Sequence, residues 1–242
     1  AAPGPAFALR KRAVSIIGLD RYVADGILTT GQAEFLRRAV RERQNILIAG
    51  ATSSGKTTLA NALLAEIAAT GDRVLVLEDT IELQCAARDH VPLRTRAGVV
   101  SMTELVRATM RLRPDRVIVG EVRGGEALDL VKVWGTGHPG GIATIHAGSA
   151  LGALLRLEQL ILEVAVNPPR ALIAEAVNVV IHIAGRGRKR RVESIARVVG
   201  FDGTGYRLAD ALETPFPELM PVPLAADAAA PSSSLDLPGE LP

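Results

Sequence analysis

The chain has 242 residues, 48% hydrophobic and 22% charged, with a formal net charge of +2; that is enough apolar material for one substantial core, and no bulk charge singles out nucleic acid or membrane as the partner. Aromatic residues make up only 3%, which argues against a single-strand-binding surface built on stacked rings. Cys85 is the single cysteine and closes no internal disulfide, no Cys/His cluster stands at metal-ligand spacing, and apolar runs such as 45–49 and 73–77 are too short to span a bilayer.

Ala1 to Pro5 reads as linker, and Phe7 to Arg12 as a short strand or extended arrival segment. Leu19 to Gly26 and Thr30 to Glu42 read as helices, the second with Ala33, Leu36, Ala39 and Val40 on one apolar face. Asn45 to Ala49 is a short apolar run of the kind that forms a buried parallel strand. Gly50 to Thr57 follows as a glycine-rich turn, and Thr58 to Ala69 carries strong helix formers.

Arg73 to Leu77 predicts a second strand, ending at Glu78 and Asp79. Met102 to Arg113 predicts a helix capped by Ser101 and stopped by Pro114. Arg116 to Gly120 predicts a third strand ending at Glu121, and Glu126 to Trp134 a helix. Trp134 to Gly141 reads as a glycine-dense connector between the rim of the sheet and the next strand, Gly141 to Ile145, which ends at His146. Ala150 to Val164 and Arg170 to Ala176 predict helices. Val177 to Ile183, Val192 to Gly200 and Tyr206 to Leu208 read as a closing antiparallel meander, interrupted by the basic turn Gly185 to Arg191. That turn reads equally as a phosphate or acidic-lipid binder and as a solvated hairpin. After Thr214 the chain is rich in Pro, Ala and Ser, so 214–242 is expected to be a disordered tail.

Short strands alternating with helices describe an α/β fold with a mostly parallel sheet flanked by helices, and such sheets place ligands beyond the carboxyl ends of their strands. Gly50, Glu78, Glu121 and His146 all fall at those ends. The run Gly50, Ala51, Thr52, Ser53, Ser54, Gly55, Lys56, Thr57 matches Gly-x-x-x-x-Gly-Lys-Ser/Thr in full, and Thr58 continues it into the helix. Glycines let successive N–H groups turn toward phosphate oxygens, the lysine supplies positive charge, and the threonine offers a hydroxyl to Mg²⁺. ATP and Mg²⁺ are therefore the expected cofactors. Glu121 is the candidate for organising the attacking water, and Glu78, Asp79 and Glu82 supply carboxylates for the metal's hydration shell. Thr57, Glu78, Asp79 and Glu121 are the candidate metal residues, direct or through water. His146 is a candidate sensor of the terminal phosphate. Arg94 and Arg96, bracketed by Pro92 and Gly98 in an expected loop, are the candidate arginine fingers.

This ordered set resembles the secretion and conjugation traffic ATPases. The family's acidic box resembles Leu77 to Leu83, its Walker B segment Arg116 to Arg123, and its histidine box Gly140 to Ala147. Gly120 stands before Glu121 where many P-loop proteins carry an aspartate, a departure shared with the secretion branch. The resemblance implies a RecA-like P-loop NTPase core over 13–213, joined at 1–12 to the end of an N-terminal domain and closed by the small C-terminal meander. It also implies a homo-hexameric ring, other conjugation or type IV secretion components as partners, and a cytoplasmic location, peripheral at the inner membrane. Two alternatives stand beside this reading: a DNA-translocating motor, for which direct DNA binding is open, and an ATP-binding assembly subunit with little turnover.

Overall fold

The computed structural model describes Gly4 and residues 16–213; the expected strand at 7–12 and the expected tail at 214–242 lie outside the described residues. The strands are β1 (Ile46–Ala49), β2 (Val74–Glu78), β3 (His90–Arg94), β4 (Arg116–Val119), β5 (Ile142–Ile145), β6 (Val179–Ala184), β7 (Arg191–Phe201) and β8 (Tyr206–Asp210). They form one sheet in the order β3-β2-β4-β5-β1-β6-β7-β8. Pairing is parallel from β3 through β6 and antiparallel between β6, β7 and β8.

The helices are α1 (Leu19–Ala24), α2 (Thr30–Arg41), α3 (Lys56–Ile67), α4 (Met102–Thr109), α5 (Glu126–Gly135), α6 (Ala150–Ile161) and α7 (Arg170–Ala176). Successive strand residues point to opposite faces, and both faces are covered. Ile46, Ile48, Val74 and Val76 join the core formed with Leu36, Leu59 and Leu63. Leu47, Ala49, Leu75 and Leu77 join the other core, with Leu130, Leu154 and Leu157. The uninterrupted apolar runs thus supply two cores from one sheet.

Caps explain two helix starts. Thr29 and Gln32 form a reciprocal capping box at α2, and Ser101 and Glu104 form another at α4. Helix α4 ends at Thr109, earlier than the expected Arg113, and Arg113 takes a left-handed conformation at φ 49° just before Pro114. A residue preceding proline is disfavoured in the helical region, so the last turn unwinds.

Two expectations require correction. Arg94 and Arg96 were expected in a loop, but Arg94 ends the edge strand β3, in register with Glu78, and Arg96 bridges Val100. Pro92 within β3 is tolerated because β3 has a neighbour on one side only. The closing strands form the expected antiparallel meander, and because β6 also lies parallel to β1 they extend the main sheet. The connector at 136–141 sits at the amino ends of the strands, away from the rim, because α5 has already run the length of the sheet. A Cβ at Gly141 would collide with Trp134 and the Val117 carbonyl at the start of β4.

Beside that connector, Arg116 is 1% exposed. It donates to Asp72 at 2.5 Å, to the Gly140 carbonyl at 3.2 Å and to the Val40 carbonyl at 3.0 Å. Burial lowers the Arg116 pKa while Asp72 opposes the shift. Burial also works against the Asp72 carboxylate, but the bonds from Thr70 and Arg116 outweigh it and the Asp72 pKa is lowered.

Candidate functional site

β1 delivers the chain to Gly50 in the middle of the sheet, with β5 on one side and β6 on the other. A side chain at Gly50 would collide with the Ile183 carbonyl of β6 and with Ser54 Oγ, so glycine is required where the backbone turns out of the sheet. Gly55 takes φ 104° immediately before α3, a conformation that favours glycine. The turn hands directly to α3, which starts at Lys56 and so begins two residues earlier than expected. Its free N–H groups and the turn between them form an anion cradle.

Lys56 is 7% exposed, and its Nζ donates to the carbonyls of Gly50 at 3.0 Å and Ala51 at 3.1 Å. Lys56 Nζ also lies 3.5 Å from His146 Nδ1. On the far side of the same imidazole, Nε2 stands 2.6 Å from Glu121 Oε1. Glu121 Oε2 accepts from Arg123 Nε at 2.7 Å, while Oε1 has no partner of hydrogen-bond geometry. Lysine, histidine and glutamate therefore form a contiguous row, although β5 separates β4 from β1.

The acidic segment is held differently. Glu78 Oε1 accepts from the backbone of Glu82 at 2.9 Å and Leu83 at 2.8 Å, curling the chain after β2. Burial raises the Glu78 pKa, and these two N–H groups oppose the rise. Asn61, one turn into α3, donates to the Glu82 carbonyl at 3.2 Å and accepts from Gln84 N at 2.8 Å. Asp79 accepts from Thr95 Oγ1 at 2.7 Å and faces Arg123 at 3.3 Å.

These groups border one cleft of about 530 Å³, lined by Thr52, Ser53, Gly55, Lys56, Thr57 and Thr58 on one wall and by Glu78, Asp79, Glu82, Glu121 and His146 on the other. Of the expected phosphate-turn residues, Gly50, Ala51 and Ser54 do not line it; the first two hold Lys56 and Ser54 is buried behind the turn. Arg94 and Arg96 do not line it either: the first belongs to the edge strand, and the second borders a neighbouring shallow depression. The arginines at the cleft are Arg123 and Arg190. Asn61 went unnoticed in the sequence because a mid-helix asparagine carries no motif. Arg190 lay in the basic run, but its place became visible only once β6 was found beside β1.

The donor set suits Mg²⁺ held mainly by a nucleotide. Among the described residues no three or more His, Cys, Asp or Glu side chains gather as a metal cage. Mg²⁺ keeps several waters and normally takes only one or two protein oxygens beside phosphate. Thr57 and Glu121, both at the cleft, offer oxygens of that kind.

A mostly parallel sheet, a glycine turn feeding a helix at its centre, and a carboxylate strand placed one strand away define a RecA-like P-loop NTPase core. The family model described as "Type II/IV secretion system protein" matches residues 2–195, and the chain belongs to that family. It is similar to the conjugal transfer protein TrbB of Rhizobium radiobacter, 50% identical over 206 residues that cover 84% of this chain and 64% of that protein. It is also similar to the type IV secretion system protein PtlH of Bordetella pertussis, 41% identical over 178 residues covering 67% of this chain and 52% of that protein. Among solved structures it resembles the VirB11 ATPase of the Brucella suis type IV secretion system in complex with sulphate. That match has a TM-score of 0.61 and 30% identity, covering 80% of this chain and 66% of the other. The chain spans less than two thirds of the length of the curated relatives it matches.

Proposed function

We propose that this chain is the motor portion of an ATPase that hydrolyses ATP with Mg²⁺ to drive conjugative type IV secretion, pilus assembly or substrate transfer. The observation that carries the reading is the row from Lys56 through His146 to Glu121, with contacts of 3.5 Å and 2.6 Å, beside the phosphate turn. A terminal phosphate seated on the turn lies within reach of all three side chains.

Lys56 neutralises charge on the β- and γ-phosphate oxygens. Glu121 orients a water and takes its proton as the water oxygen attacks the γ-phosphorus and the bond to the β-phosphate oxygen breaks. Thr57 would hold Mg²⁺ directly and Glu78, Asp79 and Glu121 through water, and the metal would draw negative charge off the phosphates. Glu82 shapes the acidic segment, and His146 transmits the presence of the terminal phosphate from Glu121 to α6. Arg94 and Arg96 serve a neighbouring subunit, consistent with their place outside their own cleft.

The working assembly is a homo-hexamer that meets other secretion components at the cytoplasmic face of the inner membrane. No helix among the described residues is long and apolar enough to cross a membrane. The relatives named for conjugal transfer and type IV secretion support this setting. The test is steady-state phosphate release across protein concentration, with sedimentation on the same samples. Turnover per subunit that rises with assembly supports the proposal; nucleotide binding without phosphate release at any concentration contradicts it.

A further inference from the structure

The basic hairpin between β6 and β7 folds onto the phosphate turn. It contains a short 3₁₀ turn at Gly187–Lys189, and two of its arginines reach across to the loop. Arg186 Nη2 donates to the Thr52 carbonyl at 3.2 Å, and Arg190 Nη2 lies 3.4 Å from the Ser53 carbonyl. Arg190 also packs against Gly55, where an added Cβ would sit 2.8 Å from Arg190 Nε. Gly55 is thus constrained twice, by its left-handed backbone and by the guanidinium above it.

Arg190 lines the cleft. Its Nε is buried without a hydrogen-bond partner, as is the hydroxyl of Tyr22 from α1, which feels the Arg190 charge. A guanidinium carries five N–H donors in a rigid fork suited to phosphate. Here one long bond to Ser53 and an unpartnered Nε leave most of that capacity unused beside an anion cradle. Buried polar groups are ordinarily satisfied, so an orphaned Nε on a residue that lines the cleft marks a guanidinium not committed to a protein acceptor.

We propose that Arg190 is a phosphate ligand for the nucleotide supplied by the same subunit, so that the β6–β7 hairpin forms part of the binding site. The assignment rests on the nucleotide-site reading above and adds a residue from outside the phosphate turn. It also fixes the ligand's chemistry: the recognised group is the polyphosphate, not the base.

The test is displacement of a fluorescent ADP analogue by ADP, pyrophosphate and adenosine, on wild type, Arg190→Gln and Arg188→Gln. Arg188 sits on the same hairpin but is exposed and does not line the cleft. The expected result is a loss of about tenfold in affinity for ADP and pyrophosphate with Arg190→Gln, the scale of one charge-assisted contact. Adenosine affinity stays unchanged, and Arg188→Gln behaves as wild type. Melting temperature without nucleotide, together with partial recovery in Arg190→Lys, separates ligand loss from damage to the loop. Equal ADP and pyrophosphate binding by wild type and Arg190→Gln would overturn the assignment while leaving the nucleotide site intact. An equal loss with Arg188→Gln would also overturn it, replacing a ligand with bulk hairpin charge. Wild-type protein that binds no ADP would instead remove the nucleotide-site reading itself.

Discussion

The α-carbon of Gly120 faces the side chain of Glu78: a methyl group added there would lie 3.1 Å from Glu78 Cγ and 3.5 Å from the Leu77 carbonyl. The glycine before the β4 carboxylate is therefore a packing consequence of the neighbouring acidic strand. Glu78 occupies the space that an aspartate at 120 would need, and it spends one oxygen on folding the segment that follows.

Gly120→Ala is accordingly expected to destabilise the fold by about 1–3 kcal/mol, the usual cost of overpacking. In a Glu78→Ala background the obstructing Cγ is gone, so the same change costs measurably less. A double-mutant cycle from urea unfolding reads that coupling; additive costs would show that the two residues do not compete for space.

Much of this arrangement is legible in the sequence, because it depends on local chemistry. Gly50 to Thr57 announces its turn through glycine and lysine spacing, and the apolar runs at β1, β2 and β4 announce strands. What resists reading is non-local. β3 carries Pro92 and alternates exposed with half-buried residues, so only its pairing with β2 makes it a strand. Asn61 and Arg190 matter through partners from 21 to 137 positions away in the chain. A motif scan does not see such partners; strand order supplies them.

Glu78 also makes stability depend on pH. Its folded pKa is raised, chiefly by burial, so the folded state binds its proton more tightly than the unfolded state. Stability then falls as pH rises from the unfolded carboxylate pKa through the higher folded one. Glu78→Gln keeps an acceptor for Glu82 N and Leu83 N but does not titrate. The variant is expected to be at least as stable as wild type at pH 7, with its relative stability decreasing as pH falls through the carboxylate range. Melting curves from pH 7 to pH 4 check this; a relative stability that increases on acidification contradicts it.

Arg116 tests the opposite end of the sheet. Its removal leaves Asp72 buried with Arg43 as its remaining cation and Thr70 as its remaining hydroxyl donor, and takes the guanidinium donor from the Gly140 carbonyl. Arg116→Ala is expected to cost about 3–5 kcal/mol, as when one partner of a buried ion pair is deleted. Chemical unfolding measures it, and a loss below about 1 kcal/mol would mean that water replaces the guanidinium.

Lys56→Ala removes the ammonium from the phosphate turn while leaving the rest of α3 unchanged. Phosphate release is expected to fall by about 10²–10³-fold, the scale for losing one preorganised group at developing charge. A phosphate-release assay at saturating ATP reads the change, and near-normal turnover would detach Lys56 from the reaction.

The most direct test of the central claim compares ATP affinity with single-turnover phosphate release in Glu121→Gln. If Glu121 organises the attacking water beside a phosphate held by the glycine turn and Lys56, ATP affinity stays within a few-fold of wild type while release slows by about 10²–10⁴-fold. Unchanged release at matched occupancy would contradict the account, showing that the carboxylate bonded to Arg123 and facing His146 does not serve the chemistry.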